Sequence, residues 1–157
     1  MLIEIGKPAP EFYLFDTNKN KIYLSANKGK NVLLLFFPLA FTSTCTKELC
    51  SVRDNIGIYN DFNAVVFGIS VDSTYTLARY KEDQQLNFTL LSDFNKEVST
   101  LYGCLYDNFT KMNMRGVSKR SSFIVDKSGI IQFAEILESA EYLPDFNFIQ
   151  QKLINLS

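Results

Sequence analysis

The sequence predicts one α/β domain, with a mixed central sheet flanked by helices. Three observations carry that prediction. The chain has 157 residues, 46% of them hydrophobic and 21% charged. That is one domain's worth of chain with an ordinary globular composition, so a single domain is assigned to residues 1–157. Two largely apolar runs, Val32–Phe37 and Ala64–Val71, flank a stretch with helical spacing. This is the pattern of parallel strands buried on both faces. Two more strand-like runs close on each other near the C-terminus, which adds antiparallel pairing and makes the sheet mixed.

The elements follow in order. Glu11–Phe15 and Lys21–Leu24 flank Asp-Thr-Asn-Lys-Asn, a polar turn, and read as an N-terminal hairpin. Asn31–Phe37 lies between Gly29 and Pro38 and reads as a central strand that Pro38 ends. Leu49, Val52, Ile56 and Tyr59 recur at helical spacing, so Thr44–Asn60 is expected to be one helix. Ala64–Val71 is the second buried strand. Thr74–Asp83 reads as a helix with Leu77 and Tyr80 facing inward. Phe88–Leu91 is a short strand and Lys96–Tyr102 a short helix. Ser122–Val125 and Ile130–Ile136 are strands joined by Asp-Lys-Ser-Gly, a strong turn signal. Phe146–Leu156 is a terminal helix with Phe148, Ile149, Leu153 and Ile154 apolar. The order fits a thioredoxin-like fold with an N-terminal β-hairpin extension.

Composition removes several functions. Sixteen Lys and Arg against seventeen Asp and Glu leave a net charge of −1. No global field would attract nucleic acid or an anionic membrane. Histidine is absent, so no Ser–His–Asp triad, Cys–His dyad or His-ligated metal can form. The three cysteines are Cys45, Cys50 and Cys104. An odd number argues against a closed disulfide framework. The N-terminus lacks the basic and apolar regions of a signal peptide, and no apolar run approaches the ~20 residues that span a bilayer. A cytoplasmic, reducing setting is expected.

The informative stretch runs from Phe36 to Cys50, where a buried strand gives way to a helix. Ligands of open α/β sheets bind at the carboxyl ends of strands. Cys45 falls in the first helical turn, where unpartnered N–H groups and the positive end of the helix dipole favour thiolate over thiol. With no histidine, this dipole and a nearby arginine are the activators on offer. Thr42 stands three residues upstream, able to hydrogen-bond the sulfur or a substrate oxygen. The competing reading makes Cys45 a small buried hydrophobe. Cys50 lies five residues on. On an intact helix the two Cα atoms would be about 8.6 Å apart, from a rise of ~1.5 Å per residue. A disulfide needs ~7 Å or less. So Cys45 and Cys50 either are unrelated or pair only when the first turns unwind.

Pro38-x-x-x-Thr42-x-x-Cys45 resembles the active-site motif of the peroxiredoxins. The residues that follow, through Cys50 and Arg53-Asp54, are similar to the bacterioferritin-comigratory-protein type, also called type Q. Pro38-Leu-Ala-Phe-Thr is similar to the one-cysteine alkyl hydroperoxide reductase E type. Gly6-Lys-Pro-Ala-Pro-Glu-Phe resembles the usual start of the family, and Arg120-Ser-Ser-Phe-Ile-Val-Asp-Lys-Ser-Gly resembles the strand and turn that supply its arginine. The resemblance implies a thiol-dependent peroxidase that reduces hydrogen peroxide and organic hydroperoxides without a cofactor. In it Cys45 matches the peroxidatic cysteine and Thr42 the residue that binds the substrate oxygen. Pro38 matches the residue that shields the thiolate from water, and Arg120 the one that stabilises developing charge. Cys50 matches the resolving cysteine of some type Q members, which would form a disulfide with Cys45. Glu48 is given a supporting role, and Arg53 is placed to pair with it. Arg115 is the alternative to Arg120. Cys104 matches no functional position and reads as packing. The implied partners are a peroxide and a thioredoxin or similar dithiol, on a monomer or homodimer, with no metal, nucleic acid or membrane.

Three other readings compete. A thiol–disulfide oxidoreductase needs Cys-x-x-Cys at this junction, and here Thr42 replaces the first cysteine. A one-cysteine enzyme would leave Cys50 structural. A non-enzymatic redox sensor would use a slow sulfenic acid switch.

Overall fold

A computed structural model describes residues 3–157; Met1 and Leu2, which open the segment read above for a leader, lie outside them. The elements are β1 (Tyr13–Asp16), β2 (Lys21–Tyr23), β3 (Asn31–Phe36), α1 (Ser43–Asp54), α2 (Ile56–Asp61), β4 (Ala64–Ser70), α3 (Thr74–Asp83), β5 (Thr89–Ser92), α4 (Glu97–Leu101), β6 (Ser121–Val125), β7 (Ile131–Ile136) and α5 (Phe146–Leu156). The strands form one sheet in the order β2-β1-β5-β4-β3-β6-β7. β3 runs parallel to β4 from Asn31↔Ala64 to Phe36↔Ile69, and β4 runs parallel to β5. β6 lies antiparallel beside β3, and β7 folds back on β6. The sheet is mixed, as its two apolar runs and closing hairpin predict.

Every residue of β3 is buried. Successive side chains point to opposite faces of a strand, and β3 therefore feeds two cores. Leu33 and Leu35 pack with Leu49, Val52, Leu77, Tyr80, Ile149 and Leu153. Val32, Leu34 and Phe36 pack with Phe12, Leu14, Val98 and Tyr102. Thus α1, α2, α3 and α5 cover one face. The short α4 and the N-terminal segment cover the other. Each such apolar side chain contributes about 1.5–3 kcal/mol by leaving water.

The structure departs from the sequence expectations in three places. The helix expected over Thr44–Asn60 is two helices, because Asn55 leaves the helical region (φ −119°, ψ 18°). Its Nδ2 donates to the Ser51 carbonyl at 2.8 Å, a local bond that competes with the helix ladder. Leu24 sits in a short 3₁₀ turn instead of a strand. The N-terminal hairpin is sewn into the main sheet, through Phe15↔Ser92 and Asp16↔Leu91 of β1 and β5. The terminal helix α5 forms as expected, with Ile149 and Leu153 buried and Phe148 and Ile154 exposed. No helix among the described residues is long and apolar enough to cross a membrane.

Candidate active site

The site forms where β3 gives way to α1. Phe37 N still donates to Ile69 O at 2.9 Å. Pro38 has no N–H and ends the pairing. The turn that follows is pinned to the end of β4. Ala40 N and Ser70 Oγ both donate to Asp72 Oδ2, at 2.8 and 2.7 Å. Phe41 adopts a left-handed φ of 67°, uncommon for a bulky residue, and its ring rests on Tyr80 at 5.0 Å. Thr42 is the N-cap residue of α1, but its side chain does not cap the helix. Its hydroxyl donates to Leu39 O at 2.7 Å.

Cys45 is the third residue of α1 and only 1% exposed. Glu48 is one turn further on the same face and fully buried. Arg120 arrives from the other side of the sheet partner. Phe36 pairs with Ser121 across β3 and β6, so the residue before Ser121 lies beside the end of β3. The Arg120 side chain is 1% exposed and divides its donors. Nη1 donates to Glu48 Oε1 at 2.5 Å, and Nη2 donates to Cys45 Sγ at 3.3 Å and to Ala140 O at 3.0 Å. Arg120 Nε and Glu48 Oε2 have no partner among the described residues.

Burial pushes the Glu48 carboxyl up to about 7, although Arg120 pulls it the other way. Burial also works against the Arg120 charge. Glu48 and the Cys45 sulfur outweigh it, so the guanidinium is held above its ordinary range. Glu48 and Cys45 therefore share one buried cation. Burial, by favouring the neutral carboxyl of Glu48, leaves more of that cation for the sulfur.

Pro38, Thr42, Cys45 and Arg120 line one hollow of about 430 Å³. Its rim comes from two loops, one holding Tyr106 and Phe109, the other Glu138 and Ala140. Tyr106 and Phe109 stack at 5.1 Å. Tyr106 Oη donates to Glu138 O at 3.0 Å, and Lys119 Nζ pairs with Glu138 Oε2 at 3.2 Å. A larger hollow of about 630 Å³ lies between the N-terminal hairpin and α3, and no cysteine lines it.

The structure thus brings together the three motif residues, Pro38, Thr42 and Cys45, with Arg120 from the distant segment, and sets Glu48 closer to the centre than expected. It does not pair Arg53 with Glu48. Arg53 Nε instead meets Asp54 Oδ1 at 2.9 Å, and its Nη1 donates to Gln84 O at 2.6 Å. Glu48 points inward to Arg120, whereas Arg53 lies on the α3 side of the helix. Thr42 does not bond the Cys45 sulfur, because its proton is committed to Leu39 O. Arg115 is exposed. Cys50 does not line the hollow. It is half-buried, and its Sγ donates to Gln84 Oε1 at 3.6 Å. All three cysteines are free. Sequence reasoning missed the Ala140 carbonyl and the aromatic rim. Neither carries a motif, since a backbone oxygen has no sequence signature.

The AhpC/TSA family model matches residues 5–134. Alkyl hydroperoxide reductase E of Mycobacterium tuberculosis is 37% identical over 143 residues, covering 89% of this chain and 90% of that protein. Among solved structures, peroxidoxin BcpB of Mycobacterium tuberculosis superposes with a TM-score of 0.85 at 25% identity, covering 99% of both chains. The reduced 2-Cys peroxiredoxin of Plasmodium vivax gives a TM-score of 0.85 at 28% identity, covering 95% of this chain and 79% of that one. With the sheet, the buried thiol and these relatives in agreement, the chain belongs to the AhpC/TSA family: it is a peroxiredoxin of thioredoxin-like fold.

Proposed function

We propose that Cys45 is the peroxidatic nucleophile of this thiol peroxidase and that Arg120, Thr42 and Pro38 prepare its attack. The observation that carries the reading is the 3.3 Å contact of Arg120 Nη2 with a buried Cys45 sulfur at a helix start. The Cys45 thiolate attacks one peroxide oxygen and the O–O bond breaks. The sulfur becomes sulfenic acid, and the other oxygen leaves as alcohol or water after taking a proton. Thr42 Oγ1 donates its one hydrogen bond to Leu39 O, so towards substrate it accepts, which orients the O–H of the peroxide. Arg120 offsets the charge that grows on the leaving oxygen. Pro38 walls the sulfur from water. The step needs no metal or organic cofactor, because the sulfur itself supplies the electron pair.

Cys50 then resolves the sulfenic acid, releasing water and forming a Cys45–Cys50 disulfide. A thioredoxin or similar dithiol reduces that bond by thiol exchange. Free thiols suit the reducing cytoplasm. A second reading is the one-cysteine cycle, favoured by the position of Cys50 outside the hollow and against Gln84. The nucleophile is tested by stopped-flow consumption of hydrogen peroxide. Cys45→Ser should lose the fast phase entirely. Rapid consumption by Cys45→Ser would overturn the assignment.

A further inference from the structure

The sulfurs of Cys45 and Cys50 stand on one unbroken helix, α1. Resolution therefore requires its first turns to open, and something must set how readily they do. The bonds between α1 and α3 are specific. Thr46 Oγ1 donates to the carbonyl of Thr42, the residue that caps α1, at 2.8 Å. A hydroxyl has one proton. The 2.9 Å contact between Thr46 Oγ1 and Tyr80 Oη is therefore donated by Tyr80. The result is a directed chain, Tyr80 Oη to Thr46 Oγ1 to Thr42 O, that ends on the carbonyl accepting the first helical hydrogen bond from Thr46 N. Burial pushes the Tyr80 hydroxyl up to about 12, so it stays a donor at working pH. Tyr80 is itself fully buried, and its ring supports Phe41 in its left-handed backbone. One turn and a half deeper, α3 also holds Cys50 through Gln84 Oε1 and Arg53 through Gln84 O.

We infer that Tyr80 is a positioning residue: its hydroxyl latches the first turn of the Cys45 helix, and the strength of that latch sets how Cys45 sulfenic acid divides between disulfide formation and overoxidation. This rests on the reading of Cys50 as the resolving thiol. In the closed turn the sulfenic acid is held away from Cys50. A second peroxide can then oxidise it to sulfinic acid, itself reduced to alcohol or water. In the open turn Cys50 attacks the same sulfur and water leaves. Tyr80 does not line the Cys45 hollow, and its hydroxyl bonds Thr46; it acts through Thr46 and the cap.

The test is Tyr80→Phe, which keeps the ring and its packing and deletes one hydroxyl. Reduced wild type and variant are compared by amide hydrogen exchange. A single net hydrogen bond is worth about a factor of 2–10 in an opening equilibrium. Exchange at amides 46–50 should quicken by about that factor, while α5 amides do not change. The rate of hydrogen peroxide consumption should hold within about twofold. Disulfide formation after one equivalent should quicken by the same factor as exchange, and the sulfinic fraction at excess peroxide should fall with it. Thr46→Val should give the same changes, and the double variant no more than either single, because one chain is being cut. Unchanged exchange in Tyr80→Phe overturns the latch, as does a loss of peroxide consumption to match. Faster exchange with no Cys45–Cys50 bridge in either protein would uphold the latch and overturn the role of Cys50.

Discussion

Cys45 and Cys104 are both buried, at 1% and 0% exposure, and both lie in apolar clusters on opposite faces of the same sheet. Their surroundings differ. Cys45 meets a guanidinium and the start of a helix. Burial drives the Cys104 thiol up to about 12, against weaker pulls that include a Ser121 hydrogen bond. Sulfur removed from water is inert by default. What separates the two is a cation carried in by the β3–β6 register and held by Glu48 from the next turn of α1. On the proposed reading of Cys45 as the nucleophile, charge placement is what would make one thiol reactive and leave the other silent, since accessibility is almost equal.

The sharpest way to break this comparison is to take the cation away. Arg120→Met should lower the peroxide rate constant by about 10²–10³, the usual loss for one preorganised donor. The deficit should persist at high pH, where thiol ionisation is saturated. Full recovery there would mean that Arg120 only assists ionisation. Repeating the measurement in a Glu48→Gln background removes the complication of an orphaned carboxylate.

A second, smaller effect concerns the shared cation. The folded Glu48 carboxyl titrates near 7, above its ordinary 4.5. Between those values the folded protein keeps a proton that the unfolded chain has lost. Stability from this group is therefore complete below about pH 4.5 and is lost as pH rises through 7. The fall should be up to about 3 kcal/mol, from ~1.36 kcal/mol per unit. Denaturant unfolding from pH 4.5 to 8 should show this slope in wild type and not in Glu48→Gln. Equal slopes would place the Glu48 proton elsewhere.

The smallest effect falls on Cys104. Cys104→Ser should leave peroxide consumption within about twofold and cost about 1–3 kcal/mol of stability, because a hydroxyl replaces a sulfur in an apolar site. A rate loss as large as that of Arg120→Met would end the contrast between the two thiols.

Much of this was legible in the sequence. Val32–Phe37 and Ala64–Val71 read as buried strands and form them, and Pro38 and Thr42 bracket the turn that presents Cys45. Glu48 was harder. The sequence assigns it only a supporting role, and only the arrival of Arg120, 72 residues away, accounts for its burial. Long-range pairing is set by strand register, which no local pattern encodes. The same holds for β1 joining β5 and for the Ala140 carbonyl. Asn55 was a local signal of a different kind, since a side chain able to bond the preceding turn marks a helix end. The apolar spacing on either side of it masks the break.

Which sulfur reacts, and where the oxidation equivalent goes, separates the two cycles. The direct measurement is mass mapping of the reduced protein after one equivalent of hydrogen peroxide, with free thiols counted in the same sample. The predicted result is a Cys45–Cys50 disulfide, with Cys104 as the one remaining thiol. A stable sulfenic acid at Cys45 with Cys50 free would contradict the resolving step and leave the one-cysteine cycle. Oxidation of Cys104 ahead of Cys45 would contradict the central claim.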